Sequence, residues 1–393
     1  MLSLSAFAMF PALQPVLRSE WHLSNTAAGC ISGTYYLGYM LAVPVLTGLT
    51  DRVDARRVWL TASAVAALAA IAFGAFAQGL WSAIAFQFLA GVGLAGTYMP
   101  GLRILADHTE GRHQARFISF YTTSFTVGSS SSFYVLGAAA DLTDWRTAVL
   151  IAASGPLLAS VLVATFVHAR RDAPAFQLKA LSAVDLRPAY RSAASMRYVY
   201  AYMSHMWELF AFRAWLVPFL AFVQALYAAP PSVRATTVAA FIALLGVPAS
   251  IAGNELGTHF GRARVIPIVM IASLVLSVAV GLSSPLPFWV VVTACCVYGV
   301  MINGDSAALT SGLVATAPPA VRGATMALYS MLGFAAAFAG SLAVGGVLDL
   351  FGGQSIGAWL VAFGAMGLPN VLGALVIRRA ATAEKSRAIL AES

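Results

Sequence analysis

The stretch HMWELFAFRAW, His205 to Trp215, brings an imidazole, a carboxyl and a guanidinium together inside an apolar run from Tyr198 to Leu226. A carboxyl and an imidazole withdrawn from water are suited to taking up and releasing protons. A guanidinium stays charged and matches the two oxygens of a carboxylate. At about 100° per residue on a helix, His205 and Glu208 share a face, whereas Glu208 and Arg213 stand about 140° apart. Glu208 and Arg213 are therefore poorly placed to neutralise one another. Each needs a partner from elsewhere: another helix, a proton or a substrate. The chemistry expected is an anion clamp at Arg213 with proton carriage by Glu208 and His205. The alternative is a permanent ion pair of Arg213 with Asp305, which would only hold two helices together.

Few other polar residues qualify. VMINGDSAAL carries Asn303 and Asp305, the latter a second titrating or cation-facing candidate. FTVGSSSSFYVLG carries Ser129 to Ser132, whose hydroxyls could contact a substrate or allow close helix packing. Ser129, Ser130, Asn303 and Trp207 join Arg213 as substrate-contact candidates, although Trp207, like Phe210, Phe212 and Trp215, also reads as a packing or lipid-facing aromatic. Arg103 and Asp107 are spaced i,i+4, which favours a local pair with a structural or gating role. GVGLAG, Gly91 to Gly96, has no strand before it and reads as helix packing, not as a nucleotide loop. Cys30, Cys295 and Cys296 have no metal-ligand spacing. No nucleophile elbow, phosphate-cradling loop or metal cluster is present, so neither an enzyme nor a cofactor is expected.

These residues must be positioned by membrane helices. Of 393 residues, 60% are hydrophobic and 10% charged, and the mean hydropathy is +0.81. Soluble domains are about one quarter charged. The net charge of +8 is spread in short clusters between apolar runs, a pattern of membrane topology and not of nucleic-acid binding. A span needs about 20 apolar residues, and twelve runs fit: 1–17, 25–49, 58–77, 81–105, 117–140, 147–167, 198–225, 235–255, 265–283, 288–311, 324–348 and 355–377. The first carries Pro11 and Pro15 and is expected to be tilted or broken. With both termini cytoplasmic, only Arg18, Arg146 and Arg234 fall outside, and Arg103 and Arg213 lie within helices; all other Lys and Arg are cytoplasmic.

The long polar connection 168–196 divides the chain into a six-helix half (1–167) and a second (197–378), followed by a cytoplasmic tail (379–393). A shift of 208 residues relates the halves: Gly91 falls on Gly299, Gly96 on Gly304, Tyr121 on Tyr329, Gly137 on Gly345, and Asp141-Leu142 on Asp349-Leu350. The expected fold is an all-α integral membrane protein, twelve transmembrane helices in two pseudo-repeated six-helix halves.

TGLTDRVDARRVWL, Thr47 to Leu60, resembles the signature between helices two and three of the Major Facilitator Superfamily, whose usual form is G-x-x-x-D-R-x-G-R-R/K. Asp51, Arg52, Arg56 and Arg57 are present. Thr47 and Asp54 occupy glycine positions, and the basic pair comes one residue late. The resemblance extends over essentially the whole chain and implies a secondary transporter working by alternating access, with this hairpin latching the cytoplasmic side. The second-half counterpart GTHFGRARVIP has His259 where Asp51 stands. QFLAGVG places Gln87 where the family's fourth-helix motif has Arg, so that residue's proton-coupling role does not carry over. The Gly-Pro motif of the drug/proton antiporters is absent. In general layout the chain resembles nitrate and oxalate porters, yet it lacks their Arg or Lys in helices two, eight and eleven, so those assignments do not transfer.

The expectation is proton-coupled uptake of a small organic or inorganic anion. Its partners are that solute, protons and the lipid bilayer, and it works as a monomer in a plasma membrane, a bacterial inner membrane. Efflux of an amphipathic or cationic compound through Glu208 and Asp305 is the alternative transport reading. A non-transporting membrane sensor is the alternative of another class, weakened by the short tail Arg378 to Ser393.

Overall fold

The computed structural model describes residues 1–50, 52–109, 112–168, 186–227 and 233–379. Asp51, residues 169–185 of the long connection and residues 380–393 of the tail lie outside them. Among the described residues every regular element is a helix: α1 (Gln14–Glu20), α2 (Asn25–Leu49), α3 (Ala55–Phe76), α4 (Leu80–Asp107), α5 (Arg112–Leu142), α6 (Trp145–Phe166), α7 (Ala193–Leu226), α8 (Ala235–Phe260), α9 (Arg262–Ser283), α10 (Phe288–Asn303), α11 (Ser306–Thr316), α12 (Arg322–Leu350) and α13 (Ile356–Gly367). A last helix, α14, covers 370–379. Ten segments among the described residues are long and apolar enough to cross a membrane, α10 with α11 and α13 with α14 each counting as one. Helices suit that setting because their backbone hydrogen bonds are internal.

The two remaining expected spans depart from a regular apolar helix. Residues 5–13 wind in tight turns, with Phe7 N–H donating to Leu4 O and Met9 N–H to Ala6 O. Pro11 and Pro15 each remove a backbone donor, which accounts for the irregular winding before α1. The fifth, α5, begins with Arg112 and His113 and carries the four consecutive serines. The run expected as one helix at 288–311 is interrupted between α10 and α11, at Gly304 and Asp305.

The chain forms two compact units. One comprises Met1–Val184 with Leu216–Ala221 and Pro230–Leu244, the other Asp185–Trp215 with Phe222–Ala229 and Leu245–Ser393.

In the first unit, α3 and α6 cap one another. Asp54, at the N-cap of α3, accepts from the Arg56 N–H, and the Arg56 guanidinium donates to Ala164 O (2.7 Å) in the last turn of α6. Asp144, at the N-cap of α6, accepts from the Arg146 N–H, and the Arg146 guanidinium donates to Gly74 O (3.1 Å) and Ala77 O (2.9 Å) at the end of α3. The Thr147 hydroxyl and N–H, with the Arg146 N–H, hold the Asp144 carboxyl below its ordinary pKa. Each Asp complements the positive helix start while each Arg satisfies carbonyls that the partner helix leaves open. The irregular N-terminal turns are tied down in the same way. Pro156 takes from Ala152 O its helical donor, and the Ser5 hydroxyl supplies one, fitting against Gly155. Ser132 accepts from Ala8 N–H (2.9 Å) and donates to Ser5 O (2.7 Å).

Close helix packing falls on glycines. A Cβ on Gly38 would lie 2.2 Å from Phe88 O, and one on Gly91 1.9 Å from Tyr35 O, which brings α2 and α4 together. In the second unit, Gly246 stands one repeat after Gly38, and its Cβ would lie 2.9 Å from the Asn303 side chain on α10. Gly253 on α8 faces the backbone of the helix break, 1.6 Å from Gly304 O to an added Cβ.

Gly38→Ala is expected to lower stability by about 1–3 kcal/mol, because its methyl meets backbone. Gly246→Ala should be near neutral, since the Asn303 amide can turn aside and a helical glycine-to-alanine change gains about 1 kcal/mol. Thermal unfolding of the two purified variants compares them directly.

Candidate functional site

Helix α7 is buried on nearly all sides in its middle, where Met206, Leu209, Phe210, Ala211, Phe212, Ala214 and Trp215 form part of the core. It therefore presents its polar residues to other helices and not to water. Glu208 is 2% exposed. Its carboxyl accepts from three neutral groups: the Ser273 hydroxyl on α9, 2.9 Å from both oxygens, the Tyr298 hydroxyl on α10 at 3.0 Å, and the Asn370 amide on α14 at 2.6 Å. Phe212 packs edge-on against Tyr298 and steadies the ring.

One turn earlier, His205 is 1% exposed and faces Asp305. Its Nδ1 lies 2.8 Å from Asp305 Oδ1. The contact is close but not aligned as a hydrogen bond, and the imidazole Nε2 has no hydrogen-bond partner. Tyr202 lies over the imidazole and stacks on Tyr329 at 3.7 Å, and the Tyr329 hydroxyl is 2.9 Å from that of Thr310. Asp305 occupies the N-cap of α11 yet makes no side-chain cap bond. An Asp at that position ordinarily satisfies the first N–H groups of its helix; here its carboxylate turns to His205.

Two of these partners of α7, Asp305 and Asn370, lie at helix breaks. Asp305 follows Gly304 at the α10–α11 break, and Asn370 follows Leu368 and Pro369 at the α13–α14 break. Pro369 cannot donate to the preceding turn, so α13 stops at Gly367. Gly367 and Gly373 then let this segment press against α9: added Cβ atoms would lie 2.3 Å from Ser277 Oγ and 2.9 Å from Met270 Sδ.

The other expected site residues are dispersed. Arg213 is 8% exposed, with its guanidinium 5.4 Å from the Phe210 ring centroid. Trp207 donates to Ala365 O (3.1 Å) and packs on Gly340, an arrangement of helix packing. Ser129 bonds within its own helix to Thr126 O, and Ser130 donates to Ala240 O (2.6 Å). Asn303 donates to Gly299 O (2.8 Å) in α10. Arg103 pairs with Asp107 at 3.0 Å, as their spacing implies. Of the hairpin residues, Arg56 caps α6, Arg57 is exposed and Arg52 lies in the turn after α2.

Ser273, Tyr298 and Asn370 were not singled out by sequence. Asn370 beside Pro369 in an apolar run was the available signal, whereas a lone Ser and a lone Tyr in apolar helices carry none.

A family model for the Major Facilitator Superfamily matches residues 1–341. The chain belongs to that superfamily. Together with the ten apolar helices among the described residues, this makes it a multi-pass membrane protein of a transporter superfamily. Among curated proteins it is similar to the uncharacterized MFS-type transporter YcaD of Escherichia fergusonii, with 26% identity over 171 residues, 42% of this chain and 44% of that protein. The YcaD protein of Salmonella typhimurium matches at 25% over the same share. The chain thus spans under half the length of the curated relatives it matches. Among solved structures it shares its fold with a bacterial homologue of the human lysosomal transporter Spinster in an inward-facing, unoccupied conformation (TM-score 0.71, 14% identity, 97% of this chain and 93% of that one). The nucleoside transporter NupG is a second such likeness (TM-score 0.70, 13% identity, 96% of each chain).

Tyr298→Phe removes one donor from the buried carboxyl and is expected to cost about 1.5–3 kcal/mol if Glu208 is ionised, about half that if it is neutral. Chemical unfolding of Tyr298→Phe, Glu208→Gln and the double variant measures the coupling, which should be clearly non-additive.

Proposed function

We propose that this transporter is a proton-coupled importer of a small organic or inorganic anion, with Glu208 as the principal proton carrier and Arg213 as the anion clamp. The observation that carries the reading is the Glu208 carboxyl, buried in a membrane span and held by a serine, a tyrosine and an asparagine. A carboxyl with neutral partners can gain or lose a proton without breaking an ion pair. Ionisable residues inside a membrane are costly and are kept where ions or substrates pass. His205 and Asp305 form a second buried pair that can take up a proton.

Arg213 is the guanidinium on the same helix, one turn and a half beyond Glu208, resting on Phe210. Its lasting charge and planar fork suit a carboxylate or a small oxyanion. Ser129, Ser130, Asn303 and Trp207 are secondary contacts, each requiring its present hydrogen bond to be exchanged for one to the solute. Asp51, Arg52, Arg56 and Arg57, with Arg103 and Asp107, form the gate on the cytoplasmic side. The two six-helix halves rock about a midplane site, both termini face the cytoplasm of a bacterial inner membrane, and the protein works as a monomer.

A thermal-shift screen of the purified protein against monocarboxylates, dicarboxylates, inorganic anions and cationic drugs identifies the ligand class. In proteoliposomes, an inward proton gradient should drive accumulation of the anion that stabilises the protein. Arg213→Ala should lower that uptake at least thirtyfold, the scale of about 2 kcal/mol for a buried charge contact. Anion uptake that survives the change would remove the clamp. Stabilisation by cationic drugs alone would favour efflux through Glu208 and Asp305.

A further inference from the structure

Beyond the proton carrier itself, we infer that Asn370 is a positioning residue that reverses its amide each time Glu208 gains or loses a proton. This inference rests on the reading of Glu208 as a proton carrier.

The Asn370 side chain is 1% exposed and engages Glu208 through one end only. Its Nδ2 donates to Glu208 Oε2 at 2.6 Å, while its Oδ1 is buried without a hydrogen-bond partner. That arrangement suits an ionised carboxyl, which only accepts. When Oε2 takes a proton it becomes a donor, and an N–H pointing at it is repelled. A half-turn about the Asn370 Cβ–Cγ bond then presents Oδ1 as an acceptor at the same place, because the two ends of a primary amide have nearly the same shape. Only the Oε2–H bond is made or broken, the proton coming from and returning to water.

The energetics favour a two-state device. One end of the amide lacks a partner before the turn and the other lacks one after it, so neither state carries an extra unsatisfied group. A leucine could serve neither state. Serine and tyrosine hydroxyls rotate in place and adapt to either. Asn370 is the partner that must swing its heavy atoms. The helix break supplies its position: Leu368 and Pro369 end α13, and Gly367 and Gly373 bring the segment against α9. The titratable groups about Glu208 are His205 on its own helix, Asp305 at the α10–α11 break, and Tyr298 with Cys295 on α10. From α9 and α14 it meets Ser273 and Asn370, neither of which titrates.

The test needs no substrate. Infrared difference spectra of the full chain in liposomes, taken between acidic and alkaline buffer, follow the carboxylic-acid stretch of Glu208, identified by its loss in Glu208→Gln. The side-chain amide stretch of Asn370 is identified by isotope-labelled asparagine and by its loss in Asn370→Leu. The expected result is that both bands change together in the wild type, with one midpoint. The amide change vanishes in Glu208→Gln, and in Asn370→Leu the Glu208 midpoint moves by about one pH unit or more, a tenfold change in proton affinity. A Glu208 band that titrates in the wild type while the labelled amide stays still overturns the inference alone. A Glu208 band that never changes overturns the proton-carrier reading beneath it.

Discussion

A polar group inside a bilayer has no water to turn to, and the second unit is arranged around that constraint at Glu208. Three helices other than its own supply the groups that surround the carboxyl. The helix breaks are part of the same solution. The stop at Leu368 and Pro369 puts Asn370 at a helix start, beside α9 and α7, from where its side-chain amide reaches Glu208. The break at Gly304 places Asp305 at the start of α11, where its carboxyl makes no cap bond and faces His205 instead. Irregular backbone at such a depth is tolerable only where protein covers it, and Gly253 provides that cover by bringing α8 against Gly304.

Among its described residues, the first unit buries no charged side chain and answers the same constraint in another way. Its polar groups are spent on helix ends and on carbonyls that prolines expose: Ser5 on Ala152 O, Arg56 on α6, Arg146 on α3. One repeat later, Arg262 and Gly352 stand where Asp54 and Asp144 are, and the paired caps have no counterpart. One glycine contact recurs, Gly38 against α4 and Gly246, one repeat later, against α10, while the polar residues at the helix ends differ. The ionisable cluster sits entirely in the second.

Much of the fold was legible because hydropathy and helix period act along one chain. The apolar runs, the glycine repeat and the face shared by His205 and Glu208 all follow from local sequence. The spacing of Glu208 and Arg213 also told correctly that the carboxyl would look elsewhere for partners. What it could not tell was which partners. Ser273, Tyr298 and Asn370 are distant in sequence and individually unremarkable, and only the approach of α9, α10 and α14 makes them a cage. The contact of Asp305 with His205 was equally hidden, because it depends on the break in helix ten. Trp207, Ser129 and Ser130 show the converse, since residue types that suit a substrate serve equally well as donors to neighbouring carbonyls.

The mutual capping of α3 and α6 also bears on how the protein is made. Arg56 leaves the ribosome 107 residues before Val163, the nearer of its two carbonyl contacts. Until α6 has entered the membrane, α3 has only one of its ends completed from within, by Asp54. The arrival of Arg146 and of the last turn of α6 closes both ends at once. The four helices from α3 to α6 thus form a loop fastened at its two tips, and the intervening turns need not hold it together. Nicking the chain between α4 and α5 would leave that fastening in place.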